Sequence, residues 1–224
     1  MKLTVEKENR INKALQDTGF YSRREADRLI ESRKVHVNGN RAVVGQILRP
    51  GDSLEVRSGT DYITKELRYA LYYKPVGEVT GVKENEQLKD LHPVGRLDKE
   101  SEGLLMYTND PTLTEEMLNP INKVEKEYRV KTREKMTPRV EKIMMSGMYT
   151  QEAQYAPAKR VLIDDGGHYV NITLIEGKKH EIRRMLNALN ITIVSLKRTR
   201  IHNMRLGANM KPGSFKVIER PDIS

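Results

Sequence analysis

A polar stretch at about residues 58–66, containing Ser58, Gly59, Thr60 and Asp61, splits this 224-residue chain into two segments of different pattern. The first, roughly 9–57, reads as helix, helix, then short strands. The second alternates strands with helices, which implies an α+β or mixed-sheet domain. Domain boundaries are expected at 1–60 and 64–224, the larger segment being long enough to bury its own core.

In the first segment Ile11 and Leu15 form one apolar face with Ala14 beside them, and Gly19 stands where a helix C-cap belongs. Ser22-Arg-Arg-Glu25 has the spacing of a capping box. Ala26, Leu29 and Ile30 then face inward, leaving Arg23, Arg24 and Arg28 on other faces. Arg24 and Arg28 are one turn apart and can meet the same stretch of phosphate backbone. Val35-His-Val37, Asn38-Gly39 and Arg41-Ala-Val-Val44 read as a hairpin. Pro50-Gly51-Asp52 turns the chain into Leu54-Glu-Val56.

In the second segment Tyr69–Tyr73 and Leu104–Tyr107 read as buried strands. Asp110-Pro111 opens a helix over 111–118. Val124–Thr132 is a strand, and Thr137-Pro138 starts a helix to about Gly147. Strands follow at Val161 and Tyr169–Ile175. His180–Leu189 is a helix with Ile182, Met185, Leu186 and Leu189 on one face. Ile193–Leu196 is a strand, and short strands close the chain.

Charge narrows the partners. The chain carries +9, with 40 Lys and Arg against 31 acids, so nucleic acid is the first candidate and an anionic membrane surface the second. From Lys178 to Arg205 there are eight Lys or Arg and one acid, Glu181, which concentrates most of the excess in one segment. The absence of cysteine rules out disulfides, thiol catalysis and cysteine-held zinc. The first ten residues lack the apolar core of a secretory signal, and no run reaches the roughly 18 apolar residues of a membrane span. A cytoplasmic location is expected, so Asn171-Ile-Thr173 and Asn190-Ile-Thr192 are read as chance. His180-Glu181 begins like a zinc-protease motif, but its fifth position is Arg184. With five histidines scattered, no metal is expected, and without a phosphate-binding glycine loop no nucleotide cofactor either.

Arg10-Ile-Asn-Lys-Ala-Leu15, Ser22-Arg-Arg-Glu-Ala-Asp27, Leu29-Ile30, Val35-His-Val-Asn-Gly39 and Pro50-Gly-Asp52 together resemble an S4 RNA-binding domain. The departure is Ser32-Arg33, where that family ends its second helix with glycine. A side chain there costs about 1 kcal/mol if the backbone is left-handed. A small helical oligomerisation module is the plainer reading, and the exposed arginines argue against it.

Val94-Gly-Arg-Leu-Asp-Lys-Glu-Ser-Glu-Gly-Leu-Leu105 resembles the central motif of pseudouridine synthases, in the small-subunit rRNA branch and its large-subunit relatives. An Asp between strands more often caps a turn, but the whole string reverses that expectation. Lys126-Glu-Tyr-Arg-Val130, Glu176-Gly-Lys-Lys-His-Glu-Ile-Arg-Arg-Met185, and Leu196-Lys-Arg-Thr-Arg-Ile201 with Pro212-Gly213 resemble the remaining motifs. Where Glu181 stands, the family often has Gln. The resemblance covers about 9–57 and 69–218.

The resemblance implies an S4 domain followed by a catalytic domain with a mixed, mainly antiparallel sheet. It implies that Asp98 is the catalytic carboxylate, that Tyr128 packs against the target base, and that Arg183 pairs with Asp98. RNA contacts are expected from Arg96, Arg23, Arg24, Arg28, Lys179, Arg184, Lys197, Arg198 and Arg200. The reaction would convert one uridine to pseudouridine in ribosomal RNA, free or in an assembly intermediate, with no cofactor and no metal. His202-Asn-Met-Arg205 favours the large subunit over the small, and a monomer is expected. The competing reading is a non-catalytic rRNA-binding assembly factor, which need not keep Asp98, Tyr128 and Arg183 together. A tRNA-directed synthase would share the chemistry.

Overall fold

The computed structural model describes residues 1–18, 20–57, 66–81, 86–150, 153–164 and 166–223. Gly19, most of the polar stretch at 58–66 and the expected boundary at 60–64 lie outside the described residues. The chain divides into two compact units, Met1–Leu67 with Asp110–Leu113, and Arg68–Asn109 with Thr114–Ser224.

In chain order the first unit contains β1 (Lys2–Thr4), β2 (Asn9–Arg10), α1 (Ile11–Asp17), α2 (Arg23–Glu31), β3 (Val35–Val37), β4 (Asn40–Arg41), β5 (Ile47–Leu48) and β6 (Ser53–Val56). Both halves of the capping box exist: the Glu25 amide donates to Ser22 Oγ, and the Ser22 amide donates to Glu25 Oε2 at 2.8 Å. Ile11, Leu15, Ala26 and Ile30 close over the sheet β1-β6-β3-β4, burying Val35, Leu48 and Leu54 completely. Arg33, just past α2, is left-handed at φ 59°, so this turn carries the strain that glycine would avoid.

The second unit contains β7 (Tyr69–Lys74), β8 (His92–Val94), β9 (Glu102–Thr108), the later part of α3 (Pro111–Leu118), β10 (Lys126–Thr132), α4 (Pro138–Ser146), β11 (Met148–Tyr149) and β12 (Gln154–Tyr155). It continues with β13 (Arg160–Ile163), β14 (Tyr169–Leu174), α5 (Glu181–Ala188), β15 (Ile193–Ile201), β16 (Met204–Arg205) and β17 (Phe215–Ile218). The two ends of α4 follow the sequence: Thr137 caps it, Pro138 supplies a fixed φ at its first position, and Gly147 ends it.

One sheet runs β13-β14-β10-β15-β9-β7-β17, with β8 on β9 and β16 on β15. Every pairing in it is antiparallel except β9 with β15, which is parallel through Glu102↔Lys197 and Gly103↔Arg198. The mixed, mainly antiparallel sheet expected from the sequence is therefore present. Its main core packs Val130, Ile172 and Leu196 of the sheet against Met144 of α4 and Ile182, Met185 and Leu186 of α5.

The structure corrects the end of one strand. The sequence suggests a strand stopping at Leu196, whereas β15 runs on to Ile201 and takes Lys197, Arg198 and Arg200 into the sheet. Three cations within four residues, Lys197, Arg198 and Arg200, hid a strand whose charges are largely answered from inside the protein.

Candidate active site

Asp98 lies in the turn between β8 and β9, and several independent bonds fix that turn. Thr80 Oγ1 donates to Leu97 O at 2.7 Å and accepts from the Leu97 amide at 3.1 Å. The Ser101 amide donates to Asp98 O at 3.0 Å, and the Gly77 amide donates to Lys99 O at 2.7 Å. From below, the fully buried Lys74 donates to Ser101 O at 2.7 Å and to Pro75 O at 2.9 Å. Burial pulls the Lys74 ammonium below its ordinary value, while Glu78, Asp98 and Glu100 push the other way.

Arg183 reaches this turn from α5. The helix buries Ile182, Met185 and Leu186, and that choice of face leaves position 183 directed at the turn. Arg183 Nη2 donates to Glu100 O at 3.0 Å and to Ser101 Oγ at 2.9 Å. Arg183 Nε stands 3.5 Å from Asp98 Oδ2, an ion pair too long for a good hydrogen bond, and Nε has no other partner. His180 Nε2 approaches Asp98 Oδ1 at 3.3 Å. Two donor-bearing side chains, three residues apart on one helix turn, thus flank the carboxylate, one on each oxygen.

Tyr128, on β10, is 9% exposed and stands opposite Arg198 of β15 and Ile172 of β14. Asp98, Tyr128 and Arg183 line a single cleft of about 590 Å³, together with Leu97, Lys126, Leu174 and Glu181. This is a volume that takes a nucleoside-sized group. The sequence-derived trio is brought together.

The expected RNA-contacting residues divide into two kinds. Arg23, Arg24, Arg28, Arg96 and Lys179 are exposed, although Arg23 Nε also donates to Gln16 Oε1 at 2.9 Å. Arg184 is half-buried beside a second, shallower depression. The β15 residues depart from the expected solvent-facing role. Arg198 is 3% exposed, donating from Nε to Leu104 O at 2.7 Å and from Nη1 to Arg96 O at 3.3 Å. Arg200 pairs with Glu125 at 2.9 Å and Glu127 at 3.2 Å, and Lys197 lies 3.6 Å from Glu102. Lys197 and Arg200 are thus answered by nearby carboxylates, whereas buried Arg198 keeps Nη2 without a partner and lines the cleft itself.

Sequence reasoning passed over four residues of this site. His180 reads in the sequence only as half of a broken zinc motif, and its place three residues before Arg183 is the available signal. Lys74, Lys126 and Glu181 were not assigned roles, because nothing local marks a charge that folding will bury. Among the described residues no group of three or more His, Asp or Glu could hold a metal ion.

A family model described as RNA pseudouridylate synthase matches residues 68–188, and an S4 domain model matches 10–54. The chain is 34% identical over 214 residues to the dual-specificity RNA pseudouridine synthase RluF of Escherichia coli K12, covering 88% of this chain and 71% of that protein. It is 27% identical to the ribosomal large subunit pseudouridine synthase B of Buchnera aphidicola, covering 96% and 94%. A crystal structure of a pseudouridylate synthase superposes with a TM-score of 0.69 at 23% identity, over 94% of this chain and 96% of that one, and so shares the fold.

Proposed function

The chain belongs to the RNA pseudouridylate synthase family, and on that premise we propose that it isomerises a uridine of ribosomal RNA, in the large subunit rather than the small, with Asp98 as the reacting carboxylate. The observation that carries this reading is the meeting of Asp98, Tyr128 and Arg183 in one cleft. The names of the relatives, one acting on the large ribosomal subunit, agree with the substrate class. No described helix is long and apolar enough to cross a membrane, and the setting proposed is the cytoplasm, where rRNA is modified.

The reaction breaks the C1′–N1 bond, turns the uracil and rejoins it through C5. Atoms and oxidation state are unchanged, so one carboxylate beside C1′ is the main chemical requirement. Asp98 serves either by adding to C1′ or by taking a sugar proton on a glycal route. The uridine leaves its stack at a cost of a few kcal/mol, and stacking on Tyr128 returns about 1–3 kcal/mol. Arg183 and His180 flank the carboxylate and keep it correctly turned while the base is over it.

Arg183 is not replaceable by a simple cation. Its fork spans Asp98, Glu100 O and Ser101 Oγ at once, which one ammonium cannot do. Arg183→Lys is therefore expected to lower kcat by about 10²-fold while leaving RNA affinity within a few-fold. Single-turnover kinetics read both, and a near-normal kcat would refute the pairing.

Affinity is expected to come from phosphates met by the exposed cations Arg23, Arg24, Arg28, Arg96 and Lys179. The slope of log K against log salt should then be about −3 or steeper on an rRNA fragment. Fluorescence anisotropy between low and moderate ionic strength checks this, and a flat response rules the model out.

The direct test of function is tritium release from C5-tritiated uridine in rRNA transcripts, followed by mapping of pseudouridines in rRNA from a deletion strain. Release from large-subunit transcripts is expected. Tight rRNA binding without release would instead fit a non-catalytic assembly factor.

A further inference from the structure

We propose that Glu176 and Glu181 share one proton at the back of the cleft, and that this proton fixes the turn that sets His180 and Arg183 against Asp98. The inference rests on the function proposed above and assigns both glutamates as positioning residues for it.

The geometry starts from the entry to α5. His180 occupies the N-cap position in a left-handed conformation at φ 56° and offers no side-chain cap. Glu181 instead closes the turn before the helix: its Oε2 accepts from the Lys178 amide at 2.9 Å while its own amide donates to Lys178 O at 3.2 Å. Glu176, at the other end of the turn, accepts at Oε1 from the Ala156 amide at 2.8 Å and pairs at Oε2 with Lys178 Nζ at 3.0 Å. Lys178 Nζ also donates to Gln154 O at 2.7 Å, so the turn is tied to β12 as well.

Glu176 and Glu181 line the same cleft and both hold Lys178, one through Nζ and the other through the amide, which makes the two carboxyls neighbours, and Glu181 is only 5% exposed. Two ionised carboxylates cannot hydrogen-bond, since neither has a proton to give. With both ionised, Glu181 Oε1 is sealed from solvent and has no partner. A proton on that oxygen removes the defect at once, because Oε1–H then donates to Glu176. Electrostatics point the same way. Burial, and then the neighbouring Glu176, push the Glu181 carboxyl up to about 8. Burial also pushes Glu176 up, but the Ala156 amide and Lys178 outweigh it and hold that carboxyl below its usual range. One of the pair is thus built to keep its proton and the other to lose it.

The remaining charges around the pair do not change this assignment. Lys178 is the cation of the turn itself. Lys126 of β10 faces Glu181 and favours its ionisation, but burial and then Arg198 of β15 lower the Lys126 ammonium in turn. Above about pH 8 the proton leaves, two carboxylates face each other at the base of the turn, and His180 and Arg183 lose their support.

The test compares the wild-type protein with E181Q, whose amide N–H can donate to Glu176 and whose carbonyl can accept from Lys178. Infrared spectroscopy of each protein without RNA should show a protonated-carboxyl band at pH 7 in the wild type that disappears near pH 8–9 and is missing in E181Q. With rRNA transcript, wild-type kcat should fall about 10-fold between pH 7.5 and 9.5 relative to E181Q, with the KM ratio changing less than about two-fold. A wild type lacking the infrared band, or an E181Q variant with the same alkaline fall, overturns the shared proton. A band present in a protein that releases no tritium from any rRNA transcript would count against the proposed function and leave the proton in place.

Discussion

Replacing Asp98 by Asn is expected to reduce tritium release by at least about 10⁴-fold, a loss of the size seen when a covalent or proton-accepting group is removed outright. The substitution keeps the shape of the side chain and removes its negative charge, so either role at C1′ is lost. The surrounding geometry should survive. Arg183 remains held by Glu100 O and Ser101 Oγ, and the turn remains held by Thr80, Gly77 and Lys74. Melting temperature and rRNA affinity should therefore stay close to wild type, which separates a chemical defect from a folding defect. Turnover of Asp98→Asn within about 10-fold of wild type would remove Asp98 from the reaction.

The second large effect is on the fold. Gly103→Ala is expected to destabilise the second unit by at least about 3 kcal/mol. A Cβ at this position would lie 2.3 Å from Arg198 O and 2.7 Å from Arg198 N. Both are backbone atoms of the strand that pairs with Gly103 in parallel, so neither can turn aside. The backbone itself, at φ 115°, lies where a side chain is strained regardless of space. Urea denaturation followed by far-UV circular dichroism reads the loss. An unchanged midpoint would mean that β9 and β15 do not approach this closely.

The sequence made the helices and the site's main residues legible for physical reasons. In α5, apolar residues at 182, 185 and 186 chose the buried face, and that choice fixed the direction of Arg183. Around α2 and α4, Ser22 and Thr137-Pro138 marked the helix starts through backbone chemistry that acts over three or four residues. The continuation of β15 was not legible. Lys197, Arg198 and Arg200 read as a solvated basic run, because their partners Glu102, Leu104 O, Glu125 and Glu127 lie about 70 to 95 residues earlier in the chain. The same limit hid Lys74 and the Glu176–Glu181 pair. Whether a charge is buried depends on what folds over it, and short-range spacing does not carry that information.

The lone parallel pairing in the sheet has a temporal consequence. Ribosomes deliver a chain from its amino end, so Asp98 and its turn emerge well before residues 193–201 exist to bind β9 from the far side. Until they do, neither the parallel pairing of β9 nor the Arg198 bond to Arg96 O can form. The nascent polypeptide thus carries its reactive group in an unassembled form while still threaded through a particle made of RNA. Competence waits on the docking of a strand that contributes no reacting atom.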